Sequence, residues 1–298
     1  MVPCLAVAAL LFVPLLTGVL ALAENLRAAE LGRQRALCRG PLPLALLRAL
    51  ANAVWSFWLT ALLLPLGWFS PSGLGRAAVG AANGAAGRGD PPPVVLIHGL
   101  YHNPAAWTLL LRRLRAAGFT RLFTYGYSSF GPPFAAIAAD LGRTLRAAAG
   151  DDPEGRVLLV GHSLGGLLAR AACADADLAA AGVRVAGVVT LGAPHHGSTL
   201  AGMLGMGRLA RSLRPDGAAL RQIRALPCCE APGLSLFSPT DGMVLPLSGS
   251  LLDARETAAG WTQECLGPVS HVGLLYDRAA ARRMTEFLLE ASRRLGGG

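Results

Sequence analysis

The 298-residue chain has no lysine; its 27 basic side chains are all arginine and leave a formal net charge of +9. A GC-rich genome, which favours Arg, Ala, Gly and Leu codons, accounts for this bias without any basic function. No nucleic-acid-binding motif accompanies the charge, so nucleic acid is not an expected partner. Arginines at 112, 113, 115 and 121, and at 208, 211, 214, 221 and 224, are expected on solvated helix faces. Internal repeats are missing, which excludes a solenoid or propeller. The six cysteines fit no zinc site, because none pairs with a second Cys-x-x-Cys or a histidine cluster. No metal and no cofactor is expected. Charge of either sign is also scarce: 15% of residues are charged and 53% hydrophobic.

That scarcity is greatest at the front. Residues 1–23 carry no charged side chain, and neither do residues 49–70, where Trp55, Trp58 and Trp68 lie toward the two ends. At about 1.5 Å per residue, each run is long enough to cross a hydrocarbon core of about 30 Å. Between them, residues 24–48 hold Arg27, Arg33, Arg35, Arg39 and Arg48 against Glu24 and Glu30. The positive-inside rule assigns that loop to the cytoplasm. Residues 1–70 are therefore expected to form a transmembrane helical hairpin with both ends outside, and whatever follows would be periplasmic or extracellular. Ala21-Leu22-Ala23 resembles a signal-peptide cleavage site, but no basic segment precedes the apolar run, so the uncleaved hairpin is preferred. Neither Cys4 nor Cys38 sits in a lipidation context. Residues 71–92 are rich in Gly, Ala and Pro and read as a flexible linker, with too little apolar bulk to offset the entropy of ordering.

Residues 93–298 suffice for one α/β domain. Gly161-His162-Ser163-Leu164-Gly165 spells G-x-S-x-G, between the apolar run Val157–Val160 and a helix-prone stretch from Gly166. A strand, a sharp turn and a helix are what a nucleophile elbow needs, with glycines where a Cβ would clash. Upstream, Val94-Val95-Leu96-Ile97-His98-Gly99-Leu100 is a strand ending in His-Gly, the usual source of one oxyanion-hole N–H. The candidate donors are the backbone N–H groups of Leu100 and Leu164. Downstream, Asp241 lies on a turn after Leu234–Phe237, and His271 lies on a short loop. The order Ser…Asp…His is the one this architecture requires.

These segments resemble the α/β-hydrolase superfamily, and within it the bacterial lipases and esterases (the triacylglycerol lipase group). The matching stretches are VVLIHGLYHNPAAW (94–107), VLLVGHSLGGLLAR (157–170), VVTLGAPHHGS (188–198), SPTDGMVLP (238–246) and VSHVGLL (269–275). The resemblance does not reach residues 1–90. It implies Ser163 as nucleophile, His271 as general base and Asp241 as the acid that orients it. It also leaves room for a bound calcium, although no carboxylate-rich loop asks for one.

The chemistry agrees. A serine hydroxyl needs an adjacent base, and histidine titrates near neutrality. Of the other histidines, His98, His102, His162, His195 and His196 all precede the acid, and His98 reads as a loop-ordering residue. Among alternative acids, Asp253 lies on a charged, solvated stretch, Glu264 is possible, and Asp277 reads as the N-cap of the last helix. If the domain is periplasmic, Cys228 or Cys229 could bridge Cys265 and tie the two catalytic loops together; the alternative is reduced, buried cysteine.

Strands are expected near 94–98, 121–125, 157–161, 185–191 and 233–238, and helices near 104–117, 134–149, 164–179 and 277–294. This alternation implies a mostly parallel sheet covered on both faces. Residues 199–226 interrupt it with an apolar, helix-prone insert read as a small cap. The expected function is a membrane-anchored serine ester hydrolase, a lipase or carboxylesterase acting on an acyl ester or lipid. Alternatives are an acyltransferase or thioesterase with the same triad, or an inactive hydrolase-fold membrane scaffold.

Overall fold

The computed structural model describes residues 2–68, 77–78 and 90–294. Its sheet is built where the apolar runs fall. Strands β1 (Ala77–Ala78), β2 (Val94–Ile97), β3 (Leu122–Tyr125), β4 (Arg156–His162), β5 (Arg184–Leu191), β6 (Gly233–Phe237) and β7 (Trp261–Cys265) are ordered β1-β3-β2-β4-β5-β6-β7. Six are parallel; β1 alone runs antiparallel, against Phe123 and Thr124 of β3. All residues of β2, β4 and β6 are buried, as expected of parallel strands with both faces covered.

The helices are α1 (Val2–Arg27), α2 (Leu31–Leu37), α3 (Leu42–Trp68), α4 (Thr108–Ala116), α5 (Phe134–Ala149), α6 (Leu164–Cys173), α7 (Ala176–Ala180), α8 (Leu200–Met203), α9 (Gly207–Arg211), α10 (Ala218–Ala225), α11 (Ala254–Ala258) and α12 (Arg278–Arg294). One core layer packs α5, α6 and α10 against the sheet through Leu141, Leu145, Leu167, Leu168 and Leu220. The other packs α4 and α12 through Leu110, Leu114, Met284 and Leu288. The insert between β5 and β6 forms α8 to α10, with Leu209, Leu213 and Leu220 buried and Met203, Leu204 and Met206 exposed.

Five expected strands and all four expected helical regions are present. Strand β7 was not anticipated, because only Trp261 of Trp-Thr-Gln-Glu-Cys is buried and this edge strand shows neither a continuous nor an alternating apolar pattern. Of the expected linker, 77–78 and 90–92 are described; the rest lies outside the described residues. Arg121 corrects the expectation of a solvated face: it is buried, bonds the carbonyl of Pro91 and pairs with Asp152. The cysteine expectation is also corrected. Cys229 is bonded to Cys173 at the end of α6, and Cys38, Cys228 and Cys265 are free. The segment after α10 reaches α6 because α10 packs on that helix; Cys265 belongs to β7.

The front of the chain is helical through much of the expected loop. α3 starts at Leu42 and includes Arg48, and Leu42–Gly67 is long and apolar enough to cross a membrane. α1 and α2 meet at a bend of 118°. Both ends of this unit pack on the hydrolase domain. At the loop end, Gln34 Nε2 donates to the Pro239 carbonyl at 2.8 Å, Leu247 N–H to Asn25 Oδ1 at 2.8 Å, and Ser248 N–H to Glu30 Oε2 at 2.8 Å. Along α3, Asn52 bonds Ser270, Thr60 bonds the Tyr276 hydroxyl at 2.9 Å, and Asn103 Nδ2 donates to the Leu64 carbonyl at 2.9 Å. Much of the remaining surface of both helices is apolar and exposed: Leu11, Leu15, Val19 and Leu22 on α1, and Trp58, Leu62 and Leu66 on α3.

Candidate active site

Ser163 sits between β4 and α6 with φ 54° and ψ −123°, a region that non-glycine residues occupy only when the surroundings hold them there. The neighbouring glycines show what does so. A Cβ on Gly165 would lie 2.0 Å from the Ile97 carbonyl oxygen, and one on Gly161 would lie 2.3 Å from that of Gly165. α6 therefore starts in backbone contact with the end of β2, and the serine is left at the turn, partly exposed. Its own N–H donates to the Leu191 carbonyl at 2.9 Å.

Asp241 and His271 come together from the loops after β6 and β7. Both are buried, and His271 Nδ1 donates to Asp241 Oδ2 at 2.6 Å. Asp241 Oδ1 accepts from the N–H groups of Met243 at 2.7 Å and Val244 at 3.0 Å. The carboxylate is thereby fixed, and it sets the tautomer that leaves His271 Nε2 as the free acceptor. No hydrogen bond joins Ser163 to His271 among the described residues; such bonds often close only when substrate binds. Glycine is needed here too: a Cβ on Gly192 would stand 3.2 Å from both Asp241 Oδ2 and His271 Nδ1.

The strand-end His-Gly passes directly over Ser163. A Cβ on Gly99 would lie 3.0 Å from Ser163 Cβ and 2.8 Å from His162 Nδ1. Among the described residues neither the Leu100 nor the Leu164 N–H has an acceptor, whereas the next one, Tyr101 N–H, is taken by Ser129 Oγ at 2.7 Å. His98 orders this loop. Its Nδ1 donates to the Gly99 carbonyl, its Nε2 accepts from Tyr127 N–H, and its ring stacks on Tyr127 at 4.3 Å. Burial pushes its pKa down to about 4, so the ring is neutral.

Sequence reasoning missed His162 as a positioning residue. Its Nε2 donates to the His271 carbonyl at 3.1 Å, tying the His271 loop to the turn at Ser163. Burial and the neighbouring imidazoles hold its pKa well below the usual histidine range, and they push His102 down to about 3. Nothing in the residue types at 162 and 271 announced this contact.

The remaining candidates have other partners. Glu264 pairs with Arg283, and Asp277 Oδ1 caps α12 through Ala280 N–H. Asp253 caps α11 in a reciprocal capping box with Glu256. Among the described residues His196, Asp253 and Glu256 could converge on a metal ion. Their carboxylates are already engaged, by the α11 N–H groups and by the buried Arg170, which also contacts His195 Nδ1 at 2.9 Å.

The profile of the alpha/beta hydrolase family matches residues 94–293, and the chain belongs to that family. Its fold is similar to that of Aspergillus fumigatus lipase B, with a TM-score of 0.59 and 16% identity over 72% of this chain and 56% of the fungal one. It is also similar to the mature Bacillus licheniformis lipase BlEst2, with a TM-score of 0.55 and 18% identity over 72% of this chain and 97% of that one. A metagenome-derived lipolytic enzyme gives 0.51 and 18%, over 73% and 98%. The chain thus spans little more than half the Aspergillus enzyme but nearly all of the bacterial one. No curated protein matches it.

Proposed function

We propose that the chain is a carboxylic ester hydrolase, a lipase or carboxylesterase acting on lipid esters at a membrane. The observation that carries this is the buried 2.6 Å His271–Asp241 pair on the loops beside a serine held at positive φ. In this reading His271 Nε2 takes the Ser163 proton as Oγ attacks the ester carbonyl. The N–H groups of Leu100 and Leu164 stabilise the oxyanion, each contributing roughly 3–4 kcal/mol. The imidazolium, held by Asp241, returns the proton to the leaving alkoxide, and water repeats the sequence to free the acid. A fluorophosphonate probe should label the wild type and not Ser163→Ala; folded wild type that resists labelling sinks the proposal. An acyltransferase or thioesterase would use the same groups, and a competing alcohol or thioester substrate separates those readings by product. An inactive scaffold would have no use for a serine kept at positive φ beside this pair.

The apolar front of the chain and its exposed stripes support membrane attachment. The Cys173–Cys229 disulfide supports a periplasmic catalytic domain, because such bonds persist in oxidising compartments. In an upright hairpin, Arg33, Arg35 and Arg39 would mark the cytoplasmic end. The packing favours another pose. From Asn52 to Gly67, about 22 Å of α3 lies against the hydrolase domain, most of a hydrocarbon core of about 30 Å. An upright α3 would drag that domain into the lipid. A hairpin lying in the membrane plane keeps the contacts and gives both exposed stripes to the acyl chains. Carbonate extraction with impermeant cysteine labelling of an Arg35→Cys variant, at an exposed position, separates the poses: upright, residue 35 is shielded from periplasmic reagent.

A further inference from the structure

Between α1 and α3 lies a cavity of about 310 Å³, at the lower end of the range for small-ligand pockets. Its floor belongs to the catalytic domain: Met243, two residues past Asp241, with His271 itself and Val272. Its walls are the facing sides of the two front helices, among them Gly18, Ala49, Ala53 and Phe57. Leu15, Val19, Leu22 and Leu47 also line it, and all four are exposed on the outer surface. The space therefore runs from an apolar outer face, through the helix pair, to the catalytic histidine.

We propose that this cavity binds an aliphatic chain of a membrane lipid ester, admitted sideways between α1 and α3 from the bilayer to the loop that carries His271. The inference rests on the ester-hydrolase reading and names its substrate class. The lining is mostly aliphatic, so it rewards a hydrocarbon chain and has no counter-charge for an ionic ligand. The mouth is apolar, so a chain that entered from water would first have to cross the hairpin's exposed leucines, whereas one already in hydrocarbon would not. One polar demand stands out on the wall. Gln34 is buried, and its Nε2 is committed to the Pro239 carbonyl, which can only accept; its Oε1 is buried as well and has no partner among the described residues. In this arrangement the front helices are part of the substrate site, not a detached anchor.

Gly18 offers a direct test, because a Cβ there meets no atom within 4 Å. Gly18→Trp fills the cavity, with Gly18→Leu as the smaller replacement, and both raise helix propensity over glycine. Leu62→Trp puts the same bulk on the outer face. The full chain, as Ser163→Ala to prevent turnover, is placed in phosphatidylcholine nanodiscs containing a phosphatidylcholine with a mid-chain diazirine. After irradiation, adducts are mapped by mass spectrometry. The expected result is adducts on Met243 or Val272, reduced at least fivefold by either Gly18 variant and unchanged by Leu62→Trp. Adducts confined to outward residues such as Phe12 and Leu62, or loop adducts indifferent to the Gly18 variants, overturn the proposal. This readout needs no catalysis. Failure of wild-type protein to take the fluorophosphonate label would instead speak against the triad.

Discussion

Asn52, on the third helix, accepts two hydrogen bonds from Ser270, the residue just before His271: one from its N–H at 2.9 Å and one from its hydroxyl at 2.7 Å. The same hydroxyl accepts from Gly273 N–H at 3.1 Å. A Cβ on Gly273 would stand 1.9 Å from Asn52 Oδ1, so the loop has no side chain where the helix docks. The loop that bears His271, the proposed base, is thus built on a helix outside the hydrolase domain.

It follows that Asn52→Leu should slow catalysis although Asn52 touches no reacting atom. It strands the buried Ser270 donor, at a cost of about 1–3 kcal/mol. Fluorophosphonate labelling should slow roughly tenfold or more, with KM for a short soluble ester little changed. A labelling rate equal to wild type means the loop holds its position without the helix.

The elbow should tolerate no side chain at residue 165. Gly165→Ala puts a methyl 2.0 Å from the Ile97 carbonyl, and backbone on both sides leaves nothing flexible to move. Turnover should drop at least about a hundredfold, in the range expected when catalytic groups are misplaced by about an ångström, and Tm should fall as well. Ala at the exposed Gly118 position is not an equivalent control, because φ there is 95°; Leu62→Ala on the outer face serves instead.

Acid should destabilise the fold through buried histidines. His98 is pushed down to about 4 and His102 to about 3, and His162 and His195 lie well below their usual range, in each case chiefly by burial. Between about pH 6.5 and 4 the unfolded chain binds protons on these rings and the folded chain does not. Stability is therefore full above pH 6.5 and falls with pH, by on the order of 1.4 kcal/mol per unit for each ring that stays neutral. Thermal unfolding from pH 7.5 to 4.5 checks this. A Tm that is flat across that window is incompatible with neutral, buried rings.

Reduction should weaken the domain through Cys173–Cys229, which closes a loop across 56 residues. Cys173→Ala should cost about 2–4 kcal/mol, and dithiothreitol should lower the Tm of wild type to that of the variant. Cys265→Ser should leave the response to dithiothreitol intact; if it removes the response, the pairing is wrong.

The chain alone determined most of the central machinery. β2, β4, β6 and all but the first two residues of β5 are buried, and each reads as a mostly apolar run. Gly161 and Gly165 mark places where backbone meets backbone, and the order of the motifs that carry the family resemblance pointed to Asp241 and His271. These signals are local: each is set by a residue and its near neighbours. What only tertiary structure decided is non-local. β7 pairs by backbone at an edge, where side chains need carry no pattern. Cys229 bonds whichever sulfur the α10–α6 packing brings near. His162 supports His271 across 109 residues. Asn25, Gln34 and Asn52 are unremarkable polar residues beside apolar helices until the catalytic loops fold against them. An apolar helix records that one face avoids water; whether lipid or protein covers the other face depends on what folds beside it.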